Sequence, residues 1–380
     1  MNERLESKLD SLEKQGVSLL DRRQVYLSDD VQVGRICRAA VLYPGTRLVG
    51  AQTFIGPGAK IGTEGPATIE NTVIGQDAEV AGGYVSGTVL LCKAKVGSGA
   101  HIRPGTLFEE EASSAHAVGL KQTILMSFVT MGSLINFCDA LISGGTSRRD
   151  HTEVGSGFIH FNFTPRGQSG DKATPSLVGD VPHGAFLRQP RIFLGGLSAM
   201  VGPQKVGFGS LTVAGQVIRN EVPPNRMVGD APRRFDKDIG SLSVTPDRIL
   251  RLNANYIGQL IALQAWYRQV RLARIPVGRE YEHIRIVTQA AMDLLDVCID
   301  ERVQRLDQFT KERELTLPAF SFETSDVPPC PLHIEPAAPY TEHTAWVAQL
   351  SEADVQQGVS WLHSIVAQTE QMNPAYQRAG

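Results

Sequence analysis

Val206-Gly207-Phe208-Gly209-Ser210-Leu211-Thr212-Val213-Ala214-Gly215-Gln216-Val217-Ile218 decides the fold of this chain. Its apolar or β-branched positions Val206, Thr212 and Ile218 recur every six residues, with glycine and small polar residues between them. The same step can be followed upstream through Leu42, Leu48 and Phe54, Ile55 and Ile61, Ile74 and Val80, and Leu90, Val96 and Ile102. A period of six is the mark of a β-helix, in which three short strands make one coil and each repeated residue points inward. A β-sandwich would instead show alternating strands with turns every 8–12 positions. One coil cannot bury its own interior, so coils must stack into a prism whose ends need covers. The N-terminal helix and the segment after residue 235 are the expected covers.

The flanks read differently. Residues 4–24 carry Leu5, Leu9 and Leu12 on one face of a short helix ending near Gly16. Beyond Pro246, Tyr256, Leu260, Leu263, Tyr267 and Val270 step by four and three, and Ile284, Val287, Ala291, Leu295 and Leu306 continue less regularly after a turn at Pro276-Val277-Gly278. A last helix is expected within 349–371, with Val355, Val359, Leu362 and Ile365 as its apolar face. The expected divisions are an N-terminal helix (1–27), the β-helix (28–235), a helical extension (246–314), a Pro-rich linker (315–340) and a C-terminal helix and tail (341–380). The fold class is mainly β, with helical ends.

The 380 residues carry a formal charge of -3 and 20% charged side chains, without a basic run suited to nucleic acid or an anionic membrane. No apolar run approaches the roughly 20 residues that span a bilayer, and the opening Met1-Asn2-Glu3-Arg4 lacks a signal core. Five scattered cysteines, with no Cys-x-x-Cys pair, argue against a disulfide framework or structural zinc. The expectation is a reduced cytoplasmic protein with no nucleic-acid or membrane partner.

Within the β-helix an ordered set of polar groups goes beyond what spacer coils require. It comprises Lys121-Gln122-Thr123, Ser133-Leu134-Ile135-Asn136-Phe137-Cys138-Asp139, Gly155-Ser156-Gly157-Phe158-Ile159-His160-Phe161-Asn162-Phe163, and Lys172. This set resembles the left-handed β-helix (hexapeptide-repeat) acyltransferases, above all the acetyltransferase half of the bifunctional N-acetylglucosamine-1-phosphate uridyltransferase/glucosamine-1-phosphate acetyltransferase family. The likeness covers about 30–235 as architecture and 112–222 at motif level. It implies a left-handed parallel β-helix and a homotrimer with sites between subunits. It also implies acetyl-CoA as donor, and an amino-sugar phosphate or nucleotide sugar of the UDP-N-acetylglucosamine pathway as the other substrate. By the same resemblance Asn162 contacts the group being transferred and Lys121 and Lys172 hold the sugar phosphate, with Ser133, Asn136 and Asp139 lining the substrate.

Two departures stand out. The family's catalytic His falls on Ser133, and its Tyr falls on Asn136. An unassisted serine is a poor general base at neutral pH, where an imidazole titrates in the useful range. No counterpart of the uridyltransferase half is expected in these residues. Gly144-Gly145-Thr146-Ser147-Arg148-Arg149, the string most like its nucleotide loop, reads as an insertion leaving the prism.

Three histidines could replace the base. His160 shares a strand face with Asn162 under strict alternation and is the preferred candidate. His116 precedes the lysine strand, and it is open whether it helps hold phosphate, acts as a replacement base or is a polar residue at a coil corner. His151 follows Asp150, which could orient it. Arg103 and Arg188 are secondary phosphate candidates. No His-x-x-x-x-His pair of the γ-class carbonic anhydrase type occurs, so no metal is expected. Two functions follow: an acyltransferase using His160 or His116 with Asn162, or a non-catalytic trimer that binds a nucleotide sugar or other anion in a degenerate site.

Overall fold

The computed structural model describes residues 3–163, 172–229, 246–322 and 327–376. The expected β-helix boundary at 235, part of the Pro-rich segment and the tail past 376 lie outside the described residues. The chain forms a left-handed parallel β-helix. Its first face is a ladder of 11 strands among the described residues, from Ser18–Leu19 to Met227–Val228. The other two faces join into one 16-stranded sheet because Gly119–Leu125 and Asn136–Ile142 each bend round a corner without breaking. That bend is made by Gln122 (φ 48°) and Asp139 (φ 59°), stacked on adjacent coils.

Inside the prism Leu42, Leu48, Ile55, Ile61, Ile74, Val80, Leu90, Val96 and Ile102 form one buried column, as the six-residue step predicts. Phe54 does not join it. The turn before Phe54 shifts the phase by one, so Ile55 points inward and Phe54 outward into a second core. After the second corner of some coils a threonine hydroxyl turns back to the chain: Thr88 Oγ1 donates to Ser86 O and Thr123 Oγ1 to Lys121 O, both at 2.9 Å. Such corner bonds satisfy backbone carbonyls that the ladder leaves free.

Helix α1 (Glu3–Lys14) covers the N-terminal end of the prism, with Leu9 and Leu12 fully buried there. Among the described residues the later helices do not cover the other end. Helix α2 (Val181–Gly184) is a short insertion between coils, and α3 (Pro246–Trp266), α4 (Glu282–Glu312), α5 (His343–Gln349) and α6 (Glu352–Met372) lie along the third face. The reason is the outward side chains of that face: Phe54, Val73, Val89, Leu107, Ile124, Leu141 and Leu177 are apolar and buried against the helices. A parallel sheet apolar on both sides has to be covered on both. Each such side chain contributes about 1.5–3 kcal/mol when fully buried. The described parts of the Pro-rich segment are extended but packed, with Phe320 and Leu332 in the same core.

A buried polar knot ties the helices to the prism. Arg271, in a π-helical turn after α3, bonds Glu110 at 2.7 and 3.0 Å and lies 3.2 Å from Glu109. Tyr267, one turn earlier, donates to Glu109 Oε1 at 2.9 Å, and Ser127 N donates to its other oxygen at 3.0 Å.

Candidate functional site

Among the described residues the helices pack against the third face, and the motif residues line the two edges of the second. At the edge shared with the first face, Ser133 and His116 occupy equivalent turns of adjacent coils, held by Leu134 N donating to His116 O at 3.1 Å. Their side chains meet: Ser133 Oγ lies 3.1 Å from His116 Nδ1 in an exposed position. An imidazole one coil below thus stands beside Ser133.

At the opposite edge, Asn162 Nδ2 donates to Asp139 Oδ2 at 2.9 Å, and Thr174 Oγ1 donates to the main-chain carbonyl of Asn162 at 2.7 Å. The carboxylate accepts only, so the amide nitrogen must face it and the Asn162 Oδ1 is turned away. Asp139 is 5% exposed and its second oxygen is 3.0 Å from Arg302 of α4. Asp139 therefore orients Asn162 and does not present a free carboxylate to substrate. Asn136 is exposed on the face between the two edges.

Arg103, Lys121 and Cys138 stack on three successive coils of this face. Arg103 Nη2 donates to Cys138 Sγ at 3.2 Å, and burial together with the neighbouring Asp139 pushes the Cys138 thiol up. Neither Arg103 nor Lys121 is ion-paired among the described residues. Like charges on neighbouring strands are destabilising, which an anionic ligand would offset. Lys172 is exposed, two residues before the Thr174 that holds Asn162.

His160 is not on the open face. It is 3% exposed, stacks on Phe137 at 5.3 Å and has both ring nitrogens engaged. Nδ1–H donates to Cys138 O at 2.6 Å, and Nε2 accepts from Ser176 Oγ at 2.8 Å, whose oxygen accepts from Gln204 N at 3.0 Å. Burial drives its pKa down to about 4. Strict alternation fails between His160 and Asn162 because Asn162 lies level with the Asp139 corner, where the chain turns to the next face.

The remaining candidates have structural partners. His151 Nδ1 contacts Arg148 O at 2.9 Å in the antiparallel pair Gly145–Ser147 and Asp150–His151. Arg148 from that excursion folds back to Glu111 O and Phe128 O at 2.9 and 3.0 Å, so the glycine-arginine string braces the prism. Arg188 bonds carbonyls of Ala348 and Leu350, at the end of α5. Sequence reasoning missed Arg302, which nothing in the helical periodicity distinguishes from a solvated arginine. Among the described residues no cluster of three or more His, Cys, Asp or Glu could hold a metal ion. No described helix is long and apolar enough to cross a membrane.

Comparison with known proteins agrees with this frame. A protein of Clavibacter sepedonicus named bifunctional protein GlmU is 30% identical over 220 residues, 58% of this chain and 39% of that protein. Over that stretch the chain is similar in sequence to proteins of this name. Proteins of the same name from Nocardia farcinica (28% over 220 residues, 58% of this chain and 39% of that protein) and Mycobacterium marinum (29% over 224 residues, 59% and 40%) match similarly. The chain spans about two fifths of the length of these curated relatives. No protein-family model matches it. Among solved structures, a Bacillus cereus chain titled as a candidate acetyltransferase aligns over 75% of this chain and 98% of its own, at 10% identity and a TM-score of 0.18, too loosely to carry an assignment.

Proposed function

We propose that this relative transfers an acyl group from acetyl-CoA to an amino-sugar phosphate, or a closely related nucleotide sugar, with His116 as general base. The observation that carries the reading is the 3.1 Å contact between His116 Nδ1 and Ser133 Oγ, at the place where the family motif puts its catalytic imidazole. Ser133 orients the ring, and His116 takes the proton that the amine loses as it attacks the thioester carbon. Breakdown of the tetrahedral adduct then expels the coenzyme A thiolate. Asn162 Oδ1, turned outward by the Asp139 bond, accepts from the amine and aims it. Arg103, Lys121 and Lys172 supply positive charge for the phosphate.

The two edges of the face are separated by Ser133 to Asp139, six residues of largely extended chain or about 20 Å. One chain cannot close such a site around a small substrate. A second copy can, and exposed Leu134 and Leu197 on one edge and Phe161 and Phe163 on the other are apolar surfaces suited to it. The reading is therefore a homotrimer with His116 of one protomer facing Asn162 of its neighbour.

Release of free thiol from acetyl-CoA tests this across a panel of amino-sugar phosphates that includes glucosamine-1-phosphate. Turnover with one acceptor, abolished in His116→Ala and lowered roughly a hundredfold but still measurable in Asn162→Ala, is the expected result. Absence of turnover with every acceptor, or turnover undiminished in Asn162→Ala, rejects acyl transfer. Sugar-phosphate binding without turnover would then favour the second reading, an anion-binding trimer, for which the uncompensated Arg103–Lys121 stack already speaks.

A further inference from the structure

The helical extension reaches the site just described. Helix α4 runs beside the corner of the second and third faces: Cys298 Sγ donates to Gly105 O at 3.4 Å, and Arg302, one turn on, reaches Asp139. From Gly105 to Asp139 is two coils, about 10 Å, whereas four residues of helix rise about 6 Å. The long arginine side chain spans the difference.

Arg302 is 3% exposed, and only Nη2 is engaged, by Asp139 Oδ1 at 3.0 Å and Glu301 at 3.7 Å. Its Nε and Nη1 are buried with no hydrogen-bond partner among the described residues. Leaving two guanidinium donors unpaired in a buried site is costly, and an apolar side chain would pack there without that cost. Tyr256 of α3 and Cys298 lie within the field of the same Arg302–Asp139 pair, and burial raises both groups, the thiol to about 12, so no counter-charge comes from them.

We propose that Arg302 is a positioning residue of the acyl-transfer site: it pins Asp139, Asp139 pins the Asn162 amide nitrogen, and the Asn162 carbonyl oxygen is thereby aimed at the acceptor amine. The proposal rests on the acyl-transfer reading for its catalytic consequence. It gives the helical extension a role in chemistry beyond covering the third face. Arg302 is the member of this relay that lies outside the motifs carrying the family resemblance, so the extension completes the site from within the same chain. Lysine is nearly as long but is a point donor without the planar fork, so it should hold Asp139 less firmly in one orientation.

The experiment uses the full chain with Arg302→Lys, Arg302→Met, Asn162→Ala and the double variants on the Asn162→Ala background. With an acceptor that turns over, Arg302→Lys should melt within a few degrees of the wild type, lower kcat at least tenfold and leave the acceptor KM within about twofold. On the Asn162→Ala background, either Arg302 substitution should cost no further rate. A loss on that background as large as on the wild type overturns the proposal, because Arg302 would then act independently of Asn162. If no acceptor turns over, the acyl-transfer reading fails and the relay is tested by itself. The side-chain amide resonances of Asn162, assigned by their loss in Asn162→Ala, should move in Arg302→Lys and in Arg302→Met. Unchanged resonances in both variants overturn the relay whether or not the protein is an enzyme.

Discussion

His160 offers a sharp test, because its chemistry follows from burial. The imidazole sits inside the prism with its Nδ1–H given to Cys138 O and its Nε2 occupied by Ser176, so the neutral ring is the form the fold accommodates. A ring that titrates at about 4 when folded, against about 6.5 in an unfolded chain, binds its proton more tightly in the unfolded state. Its contribution to stability is thus complete above pH 6.5 and is lost as pH falls toward the folded value. Linkage over that window gives about 2 kcal/mol lost at pH 5 and about 3 kcal/mol at pH 4, relative to pH 7.5. The perturbation is His160→Gln, which cannot titrate but shares every other buried imidazole with the wild type. The variant should be less stable at pH 7.5, because Cys138 O or Ser176 loses its partner. The gap should shrink by about 2 kcal/mol on going to pH 5. Equilibrium urea unfolding followed by far-UV circular dichroism reads the β-helix. Tryptophan fluorescence would not, since Trp266, Trp346 and Trp361 all lie in the helices packed along the third face. A gap that stays constant between the two pH values, or a His160 ring that titrates near 6.5 by NMR, refutes the reasoning and would reopen His160 as a base.

Three further outcomes follow from the same structure. Lys121→Ala and Arg103→Ala should each weaken binding of an amino-sugar phosphate, and the salt dependence of binding should flatten with each charge removed, as titration calorimetry at several ionic strengths would show. Arg271→Met leaves Glu109 and Glu110 without their cation in a buried site and should destabilise by about 3–5 kcal/mol, read as an early loss of tryptophan fluorescence signal on denaturant titration. Gly202→Ala places a Cβ 2.2 Å from Thr174 O and 2.8 Å from His160 Nε2, so it should lower the melting temperature and disturb His160 together; an unchanged melting curve would mean that the backbone yields there.

The six-residue step made the β-helix readable because an inward position repeats at every face, and burial leaves little choice of residue there. The same step misplaced Phe54, since a shift of one residue at a corner exchanges inside for outside. His160 failed for a related reason. Alternation assumes a continuous strand, and the Asp139 corner with its left-handed backbone stands beside Asn162, ending the strand between the two residues. Ser133 by itself reads as the loss of a base. Its partner His116 lies 17 positions away in sequence and one coil away in space, a distance that is visible only once the coil length is known.

The sequence by itself determined the prism, the N-terminal cover, the helical character of the residues past Pro246 and the family likeness, because these depend on local periodicity and on motifs of a few residues. Only the tertiary structure decided where the helices lie and what they touch. The outward apolar residues of the third face draw the helices along the prism instead of over its end. That docking brings Arg302 to Asp139 across 163 residues of chain, and no local pattern encodes a contact set by the packing of two separate units.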